Sequence, residues 1–331
     1  MQILFICDEW EDYLADGLLH GLISLPNLDV IDSPRKDILY KGGIQFNDIP
    51  DLSVRGGGFT LYGTLFDTNT QAYRSHVRRR LQNGYFDAVV ISNVWRQWGF
   101  LLQWSHLLSS QPLLLLDGDD DQRFYPRSLA RVKNFGVGSG LTRLLELPTT
   151  HYFKRELTNS TKLWGVKMKV HPIGFSVPTE SILTNLPTKT KLFQSHIVDP
   201  DISRKSTTDP FTLFTDEKSY RSDLAASRFG ITMRRSGWDC LRHYEIASCG
   251  AVLCFRDLHL KPSNCSPHGL IDGLNCISYR SYEDLLFRIE SLATEDEISL
   301  QYAALSWAKA NTTQTRAIEF LCSSGLRDMC Y

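Results

Sequence analysis

The chain has 331 residues, 42% of them hydrophobic and 22% charged, with a formal net charge of -1. That length suits two domains of roughly 150 residues each, and the composition excludes disordered and fibrous classes. The balanced charge leaves no global basic field for nucleic acid, so a nucleic-acid partner is not expected.

In chain order, residues 2–7 form an apolar run followed by Asp8 and Glu9 and then an amphipathic stretch over 13–25. This is the pattern of a buried parallel strand, a polar loop and a covering helix. Residues 28–31 form a second strand, and 59–66 a weaker one after Gly56, Gly57 and Gly58. A polar helix is predicted over 70–82, stopped by Asn83-Gly84. Its basic run from Arg74 to Arg80 reads as a solvated helix face rather than a phosphate patch. Strand 86–92, helix 98–108 and strand 112–117 continue the rhythm, and the segments 152–156 and 171–175 close this half. Repeated β-then-α spacing predicts a doubly wound parallel sheet with ligands outside the carboxyl ends of its strands.

Residues 177–191 are polar and interrupted by Pro178 and Pro187, which marks a hinge. The expected division is therefore a first domain over 1–178 and a second over 190–331, with the last helices free to pack back on the first. The second half shows a strand at 211–214, a helix at 217–228, strands at 229–233 and 251–255, a long loop at 258–275, and helices beginning at Tyr282 and spanning 298–321.

The most informative segment runs from Arg234 to Phe255. It reads as a helix starting at Ser236-Gly237 and ending at Gly250 between two buried strands. Free N–H groups and the positive end of the dipole at such a helix start attract phosphate. Ser236 and Asp239 also have the spacing of a capping box, a purely structural alternative. Helical spacing puts Trp238, Arg242 and Glu245 on one stripe. From Cys240 to Glu245 the rise is about 7.5 Å at roughly 1.5 Å per residue, which fits a diphosphate at the helix mouth and a ribose bonded to a carboxylate farther along.

The segment from Glu245 to Val252, with Arg242 ahead of it and Gly250 within it, resembles the C-terminal domain of glycosyltransferases built from two Rossmann-like domains facing across a cleft, the GT-B fold. Arg242 before Glu245 is similar to the bacterial group-1-like branch. The resemblance implies an α/β chain of two Rossmann-like domains, in which Glu245 holds ribose, Gly237, Trp238, Asp239, Cys240 and Leu241 lie near phosphate, and Arg234 or Arg235 supplies charge. Many retaining members carry a second Glu eight positions earlier. That position here is Gly237, so retention or inversion is left unassigned.

Leu116-Asp117-Gly118-Asp119-Asp120-Asp121 places acids directly after a strand. They read as a structural turn, as an acceptor-side or base group such as Asp119, or as an Asp119/Asp121 metal site. Asp8, at the end of the first strand, is a candidate general base, and His20 and His243 read as structural. The 8 cysteines show no metal-ligand spacing and fit a reducing compartment, so a cytoplasmic location is expected. No signal h-region or apolar run near 18 residues is found, and peripheral membrane association stays open.

The expected activity is transfer of a sugar from a nucleotide-diphosphate sugar to a hydroxyl acceptor (glycan, lipid-linked or protein) with no metal cofactor. The alternatives are a metal-dependent glycosyl or nucleotidyl transferase using Asp119 and Asp121, and a non-catalytic nucleotide-sugar-binding subunit.

Overall fold

The computed structural model describes residues 1–43, 61–66, 74–124, 147–159, 169–205, 214 and 216–326. They divide into two compact units. Residues up to 174 together with 313–326 form the first, and 175–312 form the second.

The first unit contains β1 (Gln2–Ile6), α1 (Tyr13–Ile23), β2 (Asp29–Ser33), α2 (Val77–Gln82), β3 (Ala88–Ile91), α3 (Trp98–Leu108), β4 (Leu113–Asp117), β5 (Thr150–Lys154) and β6 (Lys169–Pro172). Its sheet runs β2-β1-β3-β4-β5-β6, and every pair is parallel. A parallel strand covered on both faces needs apolar side chains on both, which is why Leu113, Leu114, Leu115 and Leu116 are all fully buried. The strand order reverses at β1, which neighbours both β2 and β3, and the crevice outside their carboxyl ends is the natural ligand position. Asp12 caps α1 by accepting the Ala15 N–H at 3.1 Å.

The second unit contains β7 (Lys191–Phe193), α4 (Pro200–Lys205), α5 (Glu217–Ala226), β8 (Ser227–Met233), α6 (Leu241–Ser248), β9 (Val252–Arg256), β10 (Cys276–Tyr279), α7 (Tyr282–Glu290) and α8 (Thr294–Ala310). Its sheet runs β10-β9-β8-β7, again parallel throughout. Alternation along β9 sends Val252 and Cys254 into one core and Leu253 and Phe255 into the other. Gly230 lets α6 lie close on β8, since a Cβ there would stand 2.2 Å from Ile246 Cγ2. The chain then returns to the first unit as α9 (Thr313–Ser323). A Cβ on Gly21 of α1 would stand 2.0 Å from the Thr313 carbonyl oxygen, and His20 Nδ1 lies 2.9 Å from Thr313 Oγ1.

Several expectations change. Helix 217–228 stops at Ala226, and Ser227 and Arg228 open β8 instead. Of the weak strand 59–66, the described part contributes one isolated bridge, Tyr40 with Leu65; residues 59 and 60 and Gly56, Gly57 and Gly58 lie outside the described residues. The predicted helix 70–82 is helical over Val77–Gln82, its first residues also lying outside, as does 211–213. Among the described residues no helix is long and apolar enough to cross a membrane.

Candidate functional site

At the carboxyl end of β8 the chain leaves the sheet as Arg234, Arg235 and Ser236, all exposed, then turns inward at Gly237. The turn is closed by the Arg235 N–H donating to the Gly237 carbonyl at 3.1 Å. Trp238 is buried beside Phe255, and the Arg234 guanidinium sits 5.0 Å above its ring. Asp239 also points inward. Its carboxylate accepts the Phe175 N–H at 2.8 Å and the Tyr244 hydroxyl at 3.0 Å.

Helix α6 therefore begins at Leu241, not at Ser236-Gly237, with Cys240 as an N-cap that makes no side-chain capping bond. This corrects two expectations. Ser236 and Asp239 do not form a capping box, because Asp239 is taken by a distant backbone N–H. Trp238 does not share a helical stripe with Arg242 and Glu245, because it precedes the helix. Burial pushes the Cys240 thiol up, which keeps it neutral and a weak acceptor at the helix mouth. The end of the helix is as expected. Gly250 takes φ +66, its N–H donates to the Ala247 carbonyl at 3.0 Å, and Ala251 reaches the Ile246 carbonyl at 3.3 Å, a Schellman closure.

His243 faces the core, stacked on Phe255 with ring centroids 4.5 Å apart. Its Nε2 lies 3.0 Å from the Trp238 carbonyl, which can only accept, so Nε2 carries the proton and Nδ1 accepts from the Thr232 hydroxyl at 3.0 Å. The histidine thus pins the Trp238 turn to β8.

Glu245 lies one turn into α6, nearly buried, and its Oε2 accepts the Tyr220 hydroxyl at 2.6 Å. Burial and the adjoining Glu245 carboxylate push Tyr220 well up, and burial pushes Glu217 of α5 up as well. Arg242 is half-buried, and its Nε is buried without a hydrogen-bond partner. Among the described residues no carboxylate pairs with Arg234, Arg235 or Arg242, whereas Arg256 at the end of β9 is tied to Asp199 at 2.9 Å. Unpaired cations thus collect at the end of β8 and the start of α6.

The first-unit candidates lie apart from one another, since β3 separates β1 from β4. Asp8 follows β1 and meets Arg96 at 3.3 Å and Lys36 at 3.7 Å. After β4 the acids disperse. Asp117 turns inward to Tyr152 (2.6 Å), Trp95 (2.8 Å) and the buried Lys154 (2.9 Å), and burial pushes its carboxyl up. Asp120 pairs with Arg155 and Asp121 with Arg123 at 2.7 Å. Asp119 accepts the Asp121 N–H at 3.4 Å. Among the described residues, no three His, Cys, Asp or Glu side chains gather as a metal-holding group. Tyr220, Lys36 and Arg96 escaped the sequence reading. Arg96 carried a usable signal, its place just after a buried strand, while Tyr220 reaches Glu245 only through the packing of α5 on α6.

The sequence matches no protein-family model, and no curated protein matches it. Solved structures do. HepE of Anabaena in complex with UDP-glucose superposes with a TM-score of 0.52 at 10% identity, over 97% of this chain and 98% of that one. Its complex with UDP gives 0.52 at 10% identity over 96% and 98%. A glycosyltransferase from Rickettsia africae gives 0.54 at 10% identity over 99% and 98%. The chain has the GT-B fold of these glycosyltransferases.

Proposed function

We propose that this chain transfers a sugar from a nucleoside diphosphate sugar to a hydroxyl acceptor, with the donor held by the second unit and the acceptor by the first. The carrying observation is that, among the described residues, the guanidiniums of Arg234, Arg235 and Arg242 have no acidic partner around a helix start whose N-cap, Cys240, makes no side-chain capping bond. A diphosphate supplies the missing negative charge, and the first-turn N–H groups and helix dipole add donors and field. Glu245 stands about 7.5 Å farther along, at roughly 1.5 Å per residue, where a ribose would fall. Tyr220 occupies Oε2, and a carboxylate has about four lone-pair sites, so vicinal hydroxyls can bond beside it. The likeness in fold to HepE, a protein seen with UDP-glucose, supports this reading.

As the glycosidic bond breaks, the leaving diphosphate gains charge, and preorganised guanidiniums stabilise that charge more than the ground state. In this reading the cations do the work that a divalent metal does elsewhere, so no metal is required. Gly237, Trp238 and Asp239 act as the scaffold of the phosphate turn, with Asp239 and Trp238 anchored inward, while Ser236, Cys240 and Leu241 border it. Asp8 and Asp119 remain the acceptor-side base candidates, Asp8 being the one at the order reversal of the sheet. The buried, free cysteines suit a reducing cytoplasm.

The test is calorimetric titration with UDP, together with turnover assays in excess chelator. Binding that disappears when Arg235 and Arg242 are removed, and turnover that persists in chelator, are the expected results. Loss of turnover in chelator with recovery on Mn²⁺ would overturn metal independence. UDP binding without donor turnover on any acceptor would identify a binding subunit instead.

A further inference from the structure

The turn after β1 is stapled by one buried amine. Lys36 is 5% exposed, and an ammonium has three N–H donors and no acceptor. Its Nζ meets the Asp8 carbonyl at 3.1 Å, the Trp10 carbonyl, and Asp16 Oδ1 of α1 at 3.3 Å. The Asp8 carboxylate stands just beyond, at 3.7 Å, so one ammonium lies between two carboxylates. Arg96 adds a second cation, 3.3 Å from Asp8 and 3.8 Å from Asp12. Three carboxylates therefore share two cations, and the cluster is one positive charge short. A proton supplies that charge most readily on the carboxylate that water reaches least. That is Asp16, whose side chain is 2% exposed against 8% for Asp12 and 13% for Asp8.

Burial, against the pull of Lys36 and with Asp12 beside it, pushes the Asp16 carboxyl from 3.8 up to about 7. Lys36 stays charged, because burial lowers it but Asp16 and Asp8 hold it above the ordinary lysine value. The other titratable groups facing the cluster stay neutral or have partners of their own. Burial pushes the Cys7 thiol and the Tyr62 hydroxyl well up, and Tyr62 donates to Glu11 at 2.6 Å. Asp32 of β2 is paired with Arg74 at 2.6 Å, and His20, one turn along α1, meets Thr313 of α9. We propose that protonation of Asp16 moves the Lys36 ammonium between two carboxylates: ionised Asp16 draws it to α1, and neutral Asp16 yields it to Asp8, so that the turn carrying Asp8 and Trp10 follows the proton. Asp16 Oδ2 accepts the Asp12 N–H at 3.1 Å and keeps acceptor capacity in either state, so the start of α1 holds while the ammonium moves. The proton thereby sets how much of the Asp8 charge is left for Arg96 or a ligand. Glycosyl transfer is not needed for this movement, and its readout is a backbone amide rather than turnover.

The Trp10 N–H donates to Asp8 Oδ1 at 3.0 Å, so its amide resonance reports whether Lys36 sits on that carboxylate. The test is a pH titration, followed by NMR, of the full chain labelled with 15N-tryptophan, the Trp10 amide being identified by its absence from Trp10→Phe. In wild type that amide is expected to shift with a midpoint near pH 7. In Asp16→Asn it should stay flat at the position wild type takes in acid, because the amide side chain mimics the neutral carboxyl. The absence of any wild-type transition above about pH 5.5 overturns the proposal. A transition that survives in Asp16→Asn also overturns it and passes the proton to another group, His20 first. Should Asp16→Asn not fold, Lys36→Met decides. The Trp10 transition should vanish with the ammonium, and its persistence overturns the proposal.

Discussion

The two strand-end regions treat charge in opposite ways. After β8, among the described residues, Arg234, Arg235 and Arg242 stand without acidic partners around a helix start whose N-cap, Cys240, makes no side-chain capping bond. After β4, Asp117, Asp120 and Asp121 each have a cation, Lys154, Arg155 and Arg123. Paired charges inside one unit serve its own stability and shape, since leaving either partner alone in a buried setting is costly. Water reaches the exposed Arg234 and Arg235, so leaving them without acids costs little, whereas the buried Nε of Arg242 has no partner. The contrast sets acids tied to cations of their own unit against guanidiniums open to a ligand, although in the sequence the acid cluster looks the more chemical of the two.

The sharpest way to break this contrast is to remove Arg235 and Arg242 together. Each charge-assisted bond is worth roughly 1.5–3 kcal/mol, so UDP binding should weaken by about 3–6 kcal/mol with little change in Tm. A large drop in Tm with unchanged affinity would show these guanidiniums to be structural. Asp117→Ala should do the reverse. It leaves Lys154, fully buried, without its carboxylate, and should cost about 3–5 kcal/mol in denaturant unfolding while UDP affinity holds.

Glu245→Gln should weaken UDP binding by about 1–3 kcal/mol, and the amide keeps an acceptor for Tyr220 so that the helix contact survives. Deoxyuridine diphosphate lacks the 2′-hydroxyl and should lose less on this substitution than UDP does. Equal losses would separate Glu245 from the ribose.

The smallest effect is a pH dependence confined to the first unit. His151 Nδ1 lies 2.9 Å from His171 Nε2, and burial, with His171 and Lys169 nearby, lowers His151 from 6.5 to about 4. A folded-state value below the unfolded one means that the unfolded chain takes up the proton first. The stabilisation is present above pH 6.5 and lost as pH falls toward 4. His151→Phe should flatten the decline of Tm across that window. An unchanged slope would place the acid sensitivity elsewhere.

Much of the architecture was legible because burial on both faces writes itself as continuous apolar runs. Strands β1, β3, β4 and β9 coincide with such runs, and Gly250 marks the end of α6 because a left-handed closure selects glycine. Strands β5 and β6 were harder to read, since His151 and His171 interrupt the apolar pattern and meet each other across the two strands. The start of α6 was misread for a similar reason. Ser236 and Asp239 have local capping spacing, but Asp239 meets Phe175, 64 residues away.

By itself the sequence determined what depends on near neighbours: the β-then-α rhythm, the parallel sheets it demands, the Gly250 stop, and the placing of Arg242 and Glu245 on one helix. Tertiary structure alone decided what depends on partners distant in the chain. It set which charges are neutralised, which acids turn inward, where α6 begins, and that Trp10 stands exposed on a turn held by Asp8 and Lys36. The division follows from range, because backbone propensity and side-chain periodicity act over a few residues, whereas charge pairing and burial are settled only when separate segments meet.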